Sequence, residues 1–180
     1  KYCGGEWFVS EGLVYEAKAF INKEGEHTEQ ALSMIKTCIN EKNERNCIVI
    51  RLPAQGKDYD AYRNYKEKKG KGDTFSLDGY TIHESFLDGN TEDGIKNIIE
   101  KKNKDAKVIG YSFIHLIYIT GKLTRSTELH LNVKRYLWAW HDFRILKDRS
   151  CMQAVSQAVG RIKHYKTPDF PDGHRIRLYC

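Results

Sequence analysis

The chain has 180 residues, 40% of them hydrophobic and 30% charged, a balance that excludes a disordered chain and suits one domain with a real core. Its net charge of +6 and pI of about 9.0 favour phosphate-bearing or other acidic partners. No apolar run approaches the ~20 residues that span a bilayer, and no signal-peptide pattern opens the chain. A membrane partner is therefore not expected. The five cysteines, at positions 3, 38, 47, 151 and 180, have neither C-x-x-C spacing nor a histidine at ligand spacing. That argues against a zinc site or a disulfide framework and implies a reducing, intracellular compartment. The chain starts at Lys1 rather than Met, so a piece of a longer protein is expected.

In chain order, residues 1–27 contain Gly4-Gly5 and scattered aromatics. They read either as an added strand or as a connection from a preceding domain. A helix is predicted over 28–40, with Ala31, Leu32, Met34, Ile35, Cys38 and Ile39 at the helical period and Thr28 as N-cap. The continuous apolar run Cys47–Leu52, ended by Pro53, predicts a strand buried on both faces. Residues 58–69 read as an exposed helix with Tyr59, Tyr62 and Tyr65 spaced by three, broken by Gly70-Lys71-Gly72-Asp73. A strand is predicted over 80–86. A helix capped by Thr91 follows, burying Ile95, Ile98 and Ile99. Strand-like runs then come at 108–109, 113–119 and 133–140. A helix over 150–159 and a last strand over 174–179 close the chain. Strands alternating with helices of this length predict an α/β fold, with a mainly parallel sheet flanked by helices on both faces. Ligands of such sheets collect at the carboxyl ends of the strands.

Two late segments are the most specific. One is Ile119-Thr120-Gly121-Lys122-Leu123-Thr124-Arg125-Ser126-Thr127-Glu128-Leu129; the other is Gln157-Ala158-Val159-Gly160-Arg161-Ile162-Lys163-His164. A Thr, then Arg-small-x-acid, and later Gln-x-x-Gly-Arg resembles motifs V and VI of superfamily 2 helicases and translocases. The resemblance implies a RecA-like helicase C-terminal domain over 28–180, with 1–27 as an extension or connection, in a divergent viral or phage member. It also implies ATP or another NTP with Mg2+, both held mainly by an N-terminal RecA-like domain of the same protein. The polymer partner would be single-stranded or duplex nucleic acid.

Carried over, Thr120 contacts a backbone phosphate, with Lys122 beside it on the nucleic-acid side. Glu128 accepts from the nucleotide ribose, with one methylene more than the family's usual Asp. Arg125 links the two ligand sites, and Ser126 stands where the family has Gly. Gln157 helps position the attacking water, and Arg161 is the arginine finger. A fixed guanidinium suits that role because phosphoryl transfer spreads charge over the non-bridging oxygens. Gly160 and His164 complete the nucleotide side. His164 replaces the family's second Arg, and it is only partly charged near neutral pH. Either Lys163 or Arg175 takes over that contact or it is lost.

Arg51, at the carboxyl end of its strand, is a candidate for the nucleic-acid backbone, with a solvated Arg as the alternative. The lysine runs at 66–71 and 101–107 read as solvated helix ends. Trp138 and Trp140 read as core residues on the same face of one strand. His115, His130 and His141 share no ligand spacing. The sequence has neither G-x-x-x-x-G-K-[ST] nor D-E-x-[DH] after a strand, so this chain alone is not expected to hydrolyse NTP. The competing expectation is a catalytically silent RecA-like module that binds nucleic acid or protein.

Overall fold

The structure is a computed structural model describing residues 2–3, 5–41, 45–53, 55–70, 74–87, 94–101, 113–120, 129, 134–142, 158–162, 164–165 and 175–180. In chain order these give β1 (Tyr2–Cys3), α1 (Gly5–Ser10), β2 (Val14–Tyr15), α2 (Glu29–Glu41), β3 (Cys47–Arg51) and α3 (Lys57–Lys69). There follow β4 (Thr74–Leu77), β5 (Tyr80–Leu87), α4 (94–101), β6 (Phe113–Ile119), β7 (Leu137–Asp142), α5 (158–162), β8 (His164–Tyr165) and β9 (Arg177–Tyr179). Among the described residues, seven strands form one sheet in the order β2-β9-β7-β3-β6-β5-β4. Every neighbouring pair is parallel except β4 with β5. β1 and β8 form a separate antiparallel pair.

The sheet has a core on each face. On one, Ala31, Met34, Ile35, Cys38 and Ile39 of α2 and Ala61, Tyr62 and Tyr65 of α3 pack against Ile48, Ile50, Leu116 and Tyr118. On the other, Trp7 and Phe8 of α1, Ile95 and Ile99 of α4 and Ala158 and Ile162 of α5 pack against Val49, Ile117, Ile119 and Trp140. Fold class is therefore α/β, with a mostly parallel sheet between helices. Thr28 caps α2 through its hydroxyl, which accepts from Ala31 N at 3.3 Å. Residues 7–21 contribute to both cores through Trp7, Phe8, Phe20 and Ile21, and β2 is the sheet's edge beside β9. The Gln30 side chain covers that edge, donating to Glu16 O at 2.9 Å and accepting from Lys18 N at 2.7 Å.

Several elements differ from the sequence reading. α3 is not an exposed helix: Tyr62 and Tyr65 are buried beneath it. β4 was absent from the sequence reading. It forms a hairpin with β5 through the two-residue turn Asp78-Gly79, both at positive φ (51° and 80°), the turn that Asp-Gly favours. The strand expected over 133–140 is Leu137–Asp142, with a helical turn at Lys134 before it. A bulge interrupts its pairing, since Cys47 faces Leu137 while Ile48 faces Ala139. The extra residue, Trp138, breaks the alternation. Trp138 therefore joins the core under α2 and α3, and Trp140 the opposite core. Of the helix expected over 150–159, residues 150–157 lie outside the described residues, as do 108–109 and Thr91. The described part, α5, runs on to 162.

One carboxylate organises the α2/α3 face. Glu84 of β5 is buried and accepts from Tyr65 Oη at 2.6 Å and Tyr118 Oη at 2.9 Å, and it pairs with Lys69. Lys69 is thus no solvated helix end; its amine also lies 4.8 Å from the centre of the Phe75 ring. His27 Nε2 stands 2.9 Å from Tyr118 Oη and 3.5 Å from Glu84. Its loop turns at Gly25, where φ is +73° and a Cβ would come within 3.3 Å of Tyr65 N. On the same face, His141 Nε2 donates to Lys18 O at 3.0 Å.

Burial, helped by Lys69, lowers His27 from 6.5 to about 4, and burial lowers His141 to about 4. The unfolded chain then takes up protons near 6.5 that the folded chain refuses. Stability is full above that pH and is lost as pH falls toward 4, by about 3 kcal/mol for each histidine. Urea unfolding across this window should show the loss, with His141→Gln flattening the slope. Equal slopes in variant and parent would count against it.

Candidate functional site

The parallel strands deliver a set of polar side chains to their carboxyl ends. β3 and β7 are neighbours, and their connections part. The chain leaves β3 through α3 on one face towards β5, and leaves β7 through α5 on the other face towards β9. Such a switch point opens a crevice at the strand ends. The last residues of the two strands, Arg51 and Asp142, are paired in register there. Arg51 Nη1 lies 3.9 Å from Asp142 Oδ2, with the two side chains 5% and 0% exposed. A carboxylate buried this deeply is tolerable only with a cation or hydrogen bonds beside it. Arg51 is accordingly not a solvated arginine.

Beside it, β6 ends at Ile119, whose carbonyl accepts from Leu52 N at 3.0 Å. Thr120 follows, half-buried, and its N–H donates to Leu87 O at 3.3 Å. Thr120 therefore stands at a strand end one strand away from Asp142's partner. Lys122, Arg125 and Glu128 lie outside the described residues. The far end of their segment is described: Leu129 is buried in the same core as Ile119, Trp140, Ala158 and Ile162. Leu129 N donates to Arg161 O at 3.1 Å. A backbone hydrogen bond thus joins the end of the first of the two sequence segments singled out above to the middle of the second.

Within the second segment, Gln157 lies outside the described residues. Gly160 and Arg161 are inside α5, and His164 begins β8, paired with Cys3. Arg161 is 2% exposed. Gly160 has open space at its side-chain position: among the described residues nothing comes within 4 Å of where a Cβ would stand. Packing among the described residues does not explain this glycine, which costs a helix about 0.5–1 kcal/mol relative to alanine.

Chemically, Arg51 and Asp142 are a buried pair at the strand ends with Thr120 at the end of the next strand, and Arg161 is a second buried guanidinium, within α5. Fixed guanidiniums recognise phosphate oxygens in pairs of hydrogen bonds. Among the described residues, no group of three or more His, Cys, Asp or Glu side chains is placed to hold a metal ion. No helix among them is long and apolar enough to cross a membrane. Sequence reasoning passed over Asp142 and the buried Lys134. Asp142 had a signal, an acid that with His141 closes the apolar run Leu137-Trp138-Ala139-Trp140. Lys134 had none. No protein-family profile, curated protein or solved structure matches the chain.

Two substitutions test this description. Leu129→Ala should cost about 2–5 kcal/mol by emptying a core position. Gly160→Ala should instead stabilise by about 0.4–1 kcal/mol, because its space is open and its φ is not left-handed. Denaturant unfolding reads both; destabilisation by Gly160→Ala would mean that the space is filled.

Proposed function

We propose that this chain is the second motor domain of an NTP-dependent helicase or translocase of the superfamily 2 type. In this reading it supplies Arg161 to an NTP held by a first RecA-like domain and backbone contacts to single-stranded nucleic acid. One observation carries the reading: the hydrogen bond from Leu129 N to Arg161 O, which ties the Thr120–Leu129 segment to the Gln157–His164 segment. A motor needs such a tie, because polymer bound at one segment must be felt by nucleotide bound at the other. The strand-end position and the basic net charge of +6 agree with it.

The roles follow from chemistry. Thr120 offers a hydroxyl to a backbone phosphate, with Lys122 adding charge. Glu128 offers an acceptor to the ribose, with Arg125 between the two ligands. Gln157 orients water, and Arg161 donates to the oxygens on which charge develops. Gly160 leaves room for the nucleotide-bearing partner, and His164 stands at the end of that segment. Mg2+ with its NTP would be held mainly by the first domain and would neutralise phosphate charge there. A specific observation favours the second reading, a catalytically silent RecA-like binding module: Arg161 is 2% exposed, whereas a finger must reach its phosphate.

Kinetics separate the two. In the protein that joins this chain to its first motor domain, Arg161→Ala should lower NTP turnover by on the order of a hundredfold or more. Nucleic-acid affinity should change little. Gly160→Ala should lower turnover too, despite its added stability, because a methyl then meets the partner. Thr120→Ala should lower only the part of the rate that nucleic acid stimulates. Wild-type turnover in Arg161→Ala would leave the silent module as the reading.

A further inference from the structure

Among the described residues, the seven-stranded sheet ends on β2 at one side and on β4 at the other. At β2, the carbonyls of Leu13 and Tyr15 accept from Leu178 N at 2.8 Å and Cys180 N at 2.9 Å. Val14, between them, therefore turns its N–H and C=O away from β9. Gln30 closes this edge from Glu16 O onward. At β4, Leu77 and Tyr80 flank the two-residue turn. Phe75 and Leu77 thus bond to β5, while Thr74 and Ser76 point their N–H and C=O outward. Val14, Thr74 and Ser76 are all exposed, and no described residue takes up their outward groups. The two edges also differ in charge. The large hydrophobics exposed among the described residues are Val9 (69%), Val14 (38%) and Tyr15 (38%), all beside or on β2. Glu6, Glu11 and Glu16 flank them, all exposed, and residues 5–17 hold no lysine or arginine. Arg175 pairs with Glu11 at 3.7 Å. At the other edge the last turn of α3 carries Lys66, Lys68 and Lys69, and the Lys69 amine lies 4.8 Å from the centre of the Phe75 ring in β4.

We propose that the β2 edge of one copy of this chain takes the β4 edge of a second copy, antiparallel, with Val14 opposite Ser76, Tyr15 opposite Phe75 and Glu16 opposite Thr74. Open strand edges are templates for such pairing. The register brings outward-facing backbone groups onto outward-facing ones at Val14 and Ser76 and again at Glu16 N–H and Thr74. It also keeps the faces matched. Tyr15 stacks on Tyr179 at 4.9 Å between ring centres, and Tyr179 and Phe75 both belong to the core under α2 and α3. The direction follows because β4 runs against the strands of its own sheet. The sheet then continues from copy to copy with corresponding cores on the same side. Pairing β4 with β4 of a second copy would instead set the lysines of two α3 helices side by side, whereas the glutamates around β2 answer them. The contact is head-to-tail, so it propagates into a row of copies or closes a ring. It is independent of the motor reading.

Sedimentation equilibrium of this chain over about 10 μM to 1 mM, the range in which a small contact shows, should give a mass that rises with concentration. Val14→Lys turns a cation toward the lysines beside β4, and Ser76→Glu turns an anion toward the glutamates beside β2. Each should weaken association by about fivefold or more. Mixed in equal amounts, the two variants should recover it, because one contact is then parental and the other sets Lys opposite Glu. The double variant in one chain should recover it too, which tests the register. Thermal melts run alongside; if either variant does not fold, Glu16→Lys with Thr74→Glu makes the same exchange at the next pair. A parent that stays monomeric across the range overturns the proposal. So does Val14→Lys associating like the parent, the result expected if β4 pairs with itself, and so does a mixture that fails to recover.

Discussion

Everything at the strand ends depends on the burial of β3. All five of its residues, Cys47 to Arg51, are buried, and parallel neighbours lie along both its edges. A strand with apolar cores on both faces cannot present its backbone to water, so β6 and β7 must satisfy its N–H and C=O groups. Their register against β3 then sets which residues end level with it. Arg51 faces Ile119 on one side and Asp142 on the other. Sliding either neighbour by one residue would send its whole apolar set to the wrong core. The positions of Thr120, just beyond Ile119, and of Asp142 are therefore fixed by the packing of β3 and its neighbours.

That constraint explains what the sequence made legible. An unbroken apolar run such as Cys47-Ile48-Val49-Ile50 advertises a two-faced strand, and the helical period of Ala31 to Ile39 advertises α2. Where two signals compete, the reading failed. α3 has so many charged residues that its buried tyrosines looked exposed, yet Tyr62 and Tyr65 cover the sheet while Arg63, Glu67 and Lys68 of the same helix face outward. Trp138 and Trp140 share a parity, and parity predicts a shared face. A single bulged residue reverses that, and no local sequence feature announces a bulge whose partner is distant in the chain. β4 is different. Its Asp78-Gly79 turn and the alternating run Thr74-Phe75-Ser76-Leu77 are both signals in the sequence, and the run is only four residues long, which is why it was passed over.

The site was legible in part for the same reason. Thr120 and Arg161 belong to short patterns with chemical meaning, so the sequence singles them out. The link between their two segments does not follow from the patterns. It follows from Leu129 being buried in the core that α5 helps to close, which brings the Leu129 N–H to Arg161 O. The Arg51–Asp142 pair was not legible as a pair, because its members come from strands far apart in the chain. Only the order β7-β3-β6 makes them neighbours.

The burial of Arg161 and the openness at Gly160 belong to one argument. In the proposed motor, the finger must be rigid before the NTP arrives, since a group that has to reorganise at the moment of reaction stabilises charge poorly. Burial inside the chain supplies that rigidity, and a guanidinium keeps its charge there where an imidazole would lose it, as His27 and His141 do here. Rigidity alone leaves the phosphate out of reach, so the partner has to come close. A close approach requires the helix to expose backbone beside the arginine, and in α5 the residue beside it is a glycine whose side-chain position is empty among the described residues. A chain under selection for stability alone would put alanine there. In the proposed motor, the glycine is what lets the partner approach the helix beside Arg161.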